Sequence, residues 1–325
     1  MIKLKEIDKK ILKELLINGR EELSSVAKTL CVKPKTVWNR YILLKKAGII
    51  IGATTHVHYK KCYGIYTFFT IKMLPNRREQ AIESIRKMPR VYVVVKGNQN
   101  TMLSVGITIG SINEIDIVKN KLSSLTLADE ITSEIWLDII NIPENLKTLK
   151  IKNQNYSTDK KIHKNKQTRK PKVTKIDKID LQIIDLLSIN GRMPFSQIAK
   201  KVGKSPDTIA KRYYKLVKRN VLKIVIQINP TKMGYKGWMI FNLTFSAKVP
   251  LQEKIKEIIK IPDVIHLVKT KGQFDLVVYV FVKDIDQIFE MQKKFSQFND
   301  LIKINYLTNE IFQTWPTPKQ CKTTL

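Results

Sequence analysis

Residues 7–50 read IDKKILKELLINGREELSSVAKTLCVKPKTVWNRYILLKKAGII, and residues 179–222 read IDLQIIDLLSINGRMPFSQIAKKVGKSPDTIAKRYYKLVKRNVL. The two stretches align without a gap at an offset of 172, and 17 of the 44 positions are identical. Ile17-Asn18-Gly19-Arg20 matches Ile189-Asn190-Gly191-Arg192, Pro34 matches Pro206, and Arg40-Tyr41 matches Arg212-Tyr213. A single long period means that a whole domain unit has been duplicated, not that a short solenoid repeats.

Each copy opens with three short helical patterns. Ile7, Ile11, Leu12, Leu15 and Leu16 form an apolar stripe at helical spacing that stops at Asn18-Gly19. Leu23, Val26, Ala27 and Leu30 give a second, short helix. Pro34 suits the first position of a third, where its missing N–H has no helical partner in any case. That helix buries Val37, Tyr41 and Leu44 and stops at Gly48. In copy two Ser205 stands directly before Pro206 as an N-cap. Ile49-Ile50-Ile51 then begins a strand that reads as a wing.

Working outward, each trihelical unit is followed by the same order of patterns. In copy one the spacing predicts strand 65–73, helix 78–88, strands 91–95 and 103–109, helix 112–122 and strand 131–137. Copy two gives strand 238–245, helix 251–259, strands 264–269 and 276–282, helix 285–295 and strand 302–312. The order βαββαβ is that of a ferredoxin-like unit. The expected fold class is therefore α+β, with two winged helix-turn-helix domains, each followed by a ferredoxin-like domain. The boundaries read as 1–57, 58–142, a basic linker over 143–176, then 177–228 and 229–315. From Lys147 to Lys175 eleven Lys or Arg face one acid, Asp159, which fits a charged tether or an arm laid along phosphates.

With 59 basic against 28 acidic side chains the formal charge is +31, so a polyanionic partner is expected, double-stranded DNA first. No run of about 18 apolar residues exists, charges interrupt the first ten residues, and Cys31, Cys62 and Cys321 have no CxxC spacing. These features predict a reduced, cytoplasmic protein without membrane contact. No P-loop, GxSxG, HExxH or GxGxxG is present, so neither an enzyme nor a cofactor is expected. His56-x-His58 puts two imidazoles on one strand face, but without a third ligand nearby no metal site is expected.

The spacing I-(L/I)-x-x-L-x-x-N-G-R, then S-x-(V/I)-A, then P-x-T-(V/I)-x-x-R-Y-x-x-L resembles the leucine-responsive / asparagine-regulator (Lrp/AsnC) family of transcription factors. It is carried by Asp8 to Ile50 and again by Asp180 to Leu222. The βαββαβ segments look like that family's effector-binding and oligomerising domain. Asn229-Pro230, Gly234-Tyr235 and Gly272-Gln273-Phe274-Asp275 match its landmarks in copy two. The resemblance implies a DNA-binding regulator, with an amino acid or other small effector held near Gly272, Gln273, Phe274 and Asp275. In copy one that loop becomes Gln99-Asn100-Thr101-Met102, which implies a degenerate site there. Family members usually carry one such pair per chain and dimerise. Two pairs in one chain imply an internal pseudo-dimer, with the ferredoxin-like units pairing sheet to sheet, and leave a homo-oligomer open.

In a helix-turn-helix the N-terminal half of the third helix enters the major groove. The candidate DNA contacts are Lys33, Lys35, Thr36, Trp38, Asn39, Arg40 and Lys46 in copy one, and Ser205, Asp207, Thr208, Lys211, Arg212 and Lys218 in copy two. Asn39 suits adenine, Lys35 suits guanine, and Lys46 suits phosphate. Arg40 and Arg212 lie on the helix flank, where structural and phosphate-bridging roles compete. Because the two faces differ chemically, an asymmetric operator is expected. Two other functions fit the same architecture: a sequence-tolerant protein that coats DNA, and, by resemblance to certain haem-pathway decarboxylases, an enzyme acting on a tetrapyrrole.

Overall fold

In the computed structural model, residues 4–57, 64–96, 101–128, 130–151, 176–310 and 315–316 are described. Helices α1 (Glu6–Ile17), α2 (Leu23–Thr29) and α3 (Pro34–Lys46) form the first trihelical unit, followed by strand β1 (Ile50–Val57). Its counterpart is α6 (Lys178–Ile189), α7 (Phe195–Val202), α8 (Pro206–Lys218) and β6 (Leu222–Ile228). The apolar stripes behave as their spacing dictates: Ile11, Leu12, Leu15 and Leu16 are fully buried in α1, as are Ile183, Ile184 and Leu187 in α6.

Strands β1 and β6 make their wing by pairing with each other, not by folding back on their own helices. They form a two-stranded antiparallel ribbon from Ile50↔Ile228 to Val57↔Leu222. Each strand buries side chains in the other copy's core. Ala53 and Val57 of β1 join the second trihelical core, while Ile226 and Ile228 of β6 join the first. The duplicated Ile-Asn-Gly-Arg motif holds this exchange. Gly19 N–H donates to Ile224 O, and Gly191 N–H donates to Ala53 O, each at 2.7 Å. A Cβ on Gly19 would sit 2.4 Å from the Val225 carbonyl carbon, so no side chain fits at this crossing. Arg20 then reaches across to the carbonyls of Gly191 (2.8 Å) and Met193 (3.0 Å). Arg192 answers with Gly19 (2.7 Å) and Glu21 (2.9 Å).

The remaining elements are β2 (Ile65–Lys72), α4 (Arg78–Arg86), β3 (Val91–Lys96), β4 (Met102–Ile109), α5 (Glu114–Thr126) and β5 (Glu130–Asn141) in copy one. Copy two has β7 (Gly237–Phe245), α9 (Leu251–Ile258), β8 (Val264–Lys271), β9 (Leu276–Val282), α10 (Ile285–Ser296) and β10 (Leu301–Glu310). The sheets meet edge to edge. β5 pairs antiparallel with β8, giving one eight-stranded sheet in the order β10-β7-β9-β8-β5-β2-β4-β3. Within each half the order runs fourth-first-third-second, the ferredoxin-like arrangement.

The segment after β5, expected to begin the linker, is instead docked. Leu146 and Leu149 are fully buried in the first trihelical core. The Asn145 amide donates to the carbonyls of Ile261 (2.7 Å) and Val264 (2.9 Å), and Lys147 N–H donates to Asp263 at 2.6 Å. The buried Asp263 also accepts from Tyr235 Oη (2.6 Å) and the Gln287 amide (2.8 Å). The basic stretch from residue 152 lies outside the described residues.

Candidate nucleic-acid interface

Both third helices expose one face. Val37, Tyr41 and Leu44 of α3 point inward, as do Ile209, Tyr213 and Leu216 of α8. At 100° per residue this turns Lys35, Asn39 and Lys46 outward in copy one and Asp207, Lys211 and Lys218 outward in copy two, and all six are exposed. Lys33, Thr36 and Trp38 are exposed on the flank of α3, and the Trp38 indole is 56% exposed. Ser205 does the local work its position suggests. Its Oγ accepts from Thr208 N–H at 3.2 Å and lies 2.8 Å from Thr208 Oγ1, fixing the start of α8. Lys211 Nζ lies 2.7 Å from Asp207 Oδ2, and this pairing raises the ammonium pKa.

Arg40 and Arg212 resolve toward structure. Arg40 Nε donates to Asp8 Oδ1 at 2.7 Å and its Nη2 donates to Oδ2 of the same fully buried carboxylate. Arg212 Nη1 bridges Asp177 (2.7 Å) and Asp180 (2.8 Å). Both guanidiniums are raised in pKa, first by these hydrogen bonds. Each thus ties a third helix to the start of its first helix. The repeat held the signal, since Asp8 and Asp180 stand at the same offset as Arg40 and Arg212.

Tyr214 went unnoticed in the sequence. It is 63% exposed and stands three residues after Lys211 and four before Lys218, on the same outward stripe. Its copy-one counterpart, Ile42, is half-buried.

The Gly272–Asp275 loop sits at the seam between the copies. Gln273 N–H donates to Glu134 Oε1 of β5 at 2.8 Å. A Cβ on Gly272 would lie 2.9 Å from Ser133 O, and the glycine's φ of 159° is also unusual for a side-chain-bearing residue. Asp275 Oδ2 accepts from Phe245 N–H at 2.9 Å, and Thr270 Oγ1 donates to Phe274 O at 2.7 Å. Glycine therefore allows a close approach of strands, and the Asp275 carboxylate serves the backbone. Burial pushes Glu134 above the ordinary carboxylate range. Of the copy-one equivalents, Gln99 and Asn100 lie outside the described residues.

One further cluster lies on the eight-stranded sheet. Phe68 stacks on Trp136 (centroids 4.2 Å), Trp136 meets His266 (6.0 Å), His266 meets Tyr279 (4.9 Å), and Tyr279 stacks on Trp238 (5.4 Å). His266 Nδ1 hydrogen-bonds Asn141 Oδ1. Desolvation lowers the imidazole to about 3, with His56 adding a smaller push in the same direction. His58, the other half of the His-x-His pair, lies outside the described residues. Among the described residues no group of three or more His, Cys, Asp or Glu is placed to hold a metal, and no helix is long and apolar enough to cross a membrane.

Two trihelical units, each followed by a ferredoxin-like unit, define a helix-turn-helix protein of α+β architecture. Residues 176–217 match the AsnC-type helix-turn-helix domain. The uncharacterized HTH-type transcriptional regulator PH0140 of Pyrococcus horikoshii is 32% identical over 114 residues, covering 35% of this chain and 72% of that protein. The regulator LysM of Saccharolobus solfataricus is 28% identical over 140 residues, covering 43% and 96%. The chain belongs to the Lrp/AsnC family. Among solved structures, the siroheme decarboxylase NirDL in complex with an iron-uroporphyrin III analogue superposes with a TM-score of 0.62 at 15% identity, covering 94% of this chain and 91% of that one. That likeness is one of fold.

Proposed function

We propose that this chain regulates transcription by binding double-stranded DNA through α3 and α8 together. The observation that carries the reading is the reciprocal lock between the two readers. The exchanged strands and the Arg20 and Arg192 bridges fix one recognition helix relative to the other, so both faces are presented as a unit. Lys35, Asn39 and Trp38 act on bases in copy one and Lys211 in copy two, while Lys46 and Lys218 meet phosphates. Arg40 and Arg212 position the helices. The ferredoxin-like half provides internal assembly. A small carboxylate-bearing effector, such as an amino acid, would bind at the seam by taking the Gln273 N–H from Glu134. Titrating the full chain into duplexes at several salt concentrations tests the reading. Binding should weaken log–log with salt, by about 0.9 per phosphate neutralised, and should favour selected over random sequence. Salt-sensitive binding with no preference would instead make the protein a coat for DNA.

A second reading is favoured by the aromatic run around His266 on a chain that matches NirDL over nearly its whole length. A flat macrocycle could stack on Trp136 and Tyr279, with the imidazole beside it. Adding an iron uroporphyrin and recording the Soret band tests this. A band that shifts with the wild-type chain and not with His266→Ala supports it, and an unshifted band removes it.

A further inference from the structure

The pseudo-twofold relation between the readers makes their differences informative. At an offset of 172 the outward stripe Lys35–Asn39–Ile42–Lys46 of α3 becomes Asp207–Lys211–Tyr214–Lys218 of α8, and the flanking Trp38 becomes Ala210. A homodimer would present one of these stripes twice. This chain presents each once.

On α3, Lys35 has no acid four residues on, because Asn39 stands there. That face carries an ammonium, an amide that pairs bidentately with adenine, and an exposed indole suited to thymine methyl groups. On α8 the same two positions hold an ion pair, Asp207 with Lys211, in which the side chains are 73% and 77% exposed. Exposed pairs at this spacing contribute little and open readily. The pair therefore offers groove-facing chemistry of both signs: a carboxylate that accepts from cytosine N4 and an ammonium that donates to guanine O6 and N7. Tyr214 adds a hydroxyl on the same stripe, one turn further along, where it can reach a phosphate.

We infer that the chain recognises an oriented, non-palindromic operator: a half-site read at an adenine by Asn39 under α3 and a half-site containing a C/G step under α8, with Asp207 the residue that specifies the latter. This rests on the DNA-binding reading above and deepens it.

The test is selection of bound duplexes from a randomised pool by the full chain, repeated with Asp207→Asn and Asp207→Ala. The wild-type chain should yield two unlike half-sites in a fixed order. A designed duplex carrying either half-site twice should bind on the order of tenfold more weakly than the oriented one. D207N replaces an acceptor-only group with an amide that both donates and accepts, so the selected cytosine should change to adenine at one position. D207A should lose preference there and leave the α3 half-site intact. Because Asp207 is mostly exposed, neither change threatens folding, and the selected α3 half-site serves as an internal control for it. Recovery of a palindrome, or of the same α8 half-site with D207N, overturns the inference while leaving DNA binding standing. Failure to retain any duplex at low salt overturns both.

Discussion

Replacing Arg40 by Ala separates a structural guanidinium from a DNA contact. Asp8 is fully buried and its carboxylate has three donors: Arg40 Nε, Arg40 Nη2 and Lys5 N–H at 2.8 Å. Arg40→Ala removes two of the three and leaves a buried anion with one backbone partner. Breaking a buried pair from one side typically costs about 3–5 kcal/mol, against about 1 kcal/mol or less for an exposed pair. Arg40 keeps 18% exposure, which lets some water in, so about 3 kcal/mol is expected. The matching Arg212→Ala should cost about 1 kcal/mol, because Asp177 and Asp180 are 50% and 15% exposed. Urea unfolding followed by far-ultraviolet circular dichroism measures both. The double variant Asp8→Leu with Arg40→Met should recover most of the loss, since the desolvation cost leaves with the charges. An unchanged unfolding midpoint in Arg40→Ala, together with a fall in DNA affinity, would refute the structural role of this guanidinium.

Removing Arg20 or Arg192 takes two charge-assisted bonds from the crossing. Each alanine variant should lose about 2 kcal/mol and bind operators whose half-sites are moved apart better than wild type does, as gel shifts with spaced duplexes would show. Two pH effects have opposite signs. Burial raises Glu134, so its folded state holds a proton more tightly, and stability is lost as pH rises from the ordinary carboxylate value through the raised one; Glu134→Gln should remove that component from a pH series of melting curves. His266 is lowered to about 3, so the unfolded chain takes up the proton first and stability falls as pH drops from about 6.5 towards 3; His266→Asn should flatten that limb. Neutralising six lysines between Lys152 and Lys175 should weaken binding to all duplexes alike and reduce the salt slope by up to about 0.9 for each phosphate no longer neutralised.

The helices and strands were legible because their apolar periods are clean. Helix 285–295 and strand 276–282 are found at Ile285–Ser296 and Leu276–Val282. What period cannot supply is the partner of an edge. Nothing in Ile49-Ile50-Ile51 says that β1 pairs with a strand far along the chain in the other copy, or that β5 rather than β10 meets β8. The candidate interface was legible to the same depth. A helical wheel puts Lys35, Asn39 and Lys211 outward, but it cannot tell that Arg40 folds back onto Asp8, since that acid lies on another helix. Tyr214 was missed because its twin, Ile42, is apolar and half-buried, so the repeat masked it. The His266–Asn141 contact crosses the seam between β8 and β5, which only the tertiary pairing creates.

The exchange of β1 and β6 has a consequence for dosage. Where two identical subunits must first meet, the fraction competent for their target falls steeply as the cell dilutes them. On the DNA-binding reading proposed above, the second reader travels with the first, at the effective concentration set by a covalent connection. Occupancy should then follow a simple hyperbola in protein concentration, with a Hill coefficient near one. A cell that halves the gene's expression would halve the competent pool and no more.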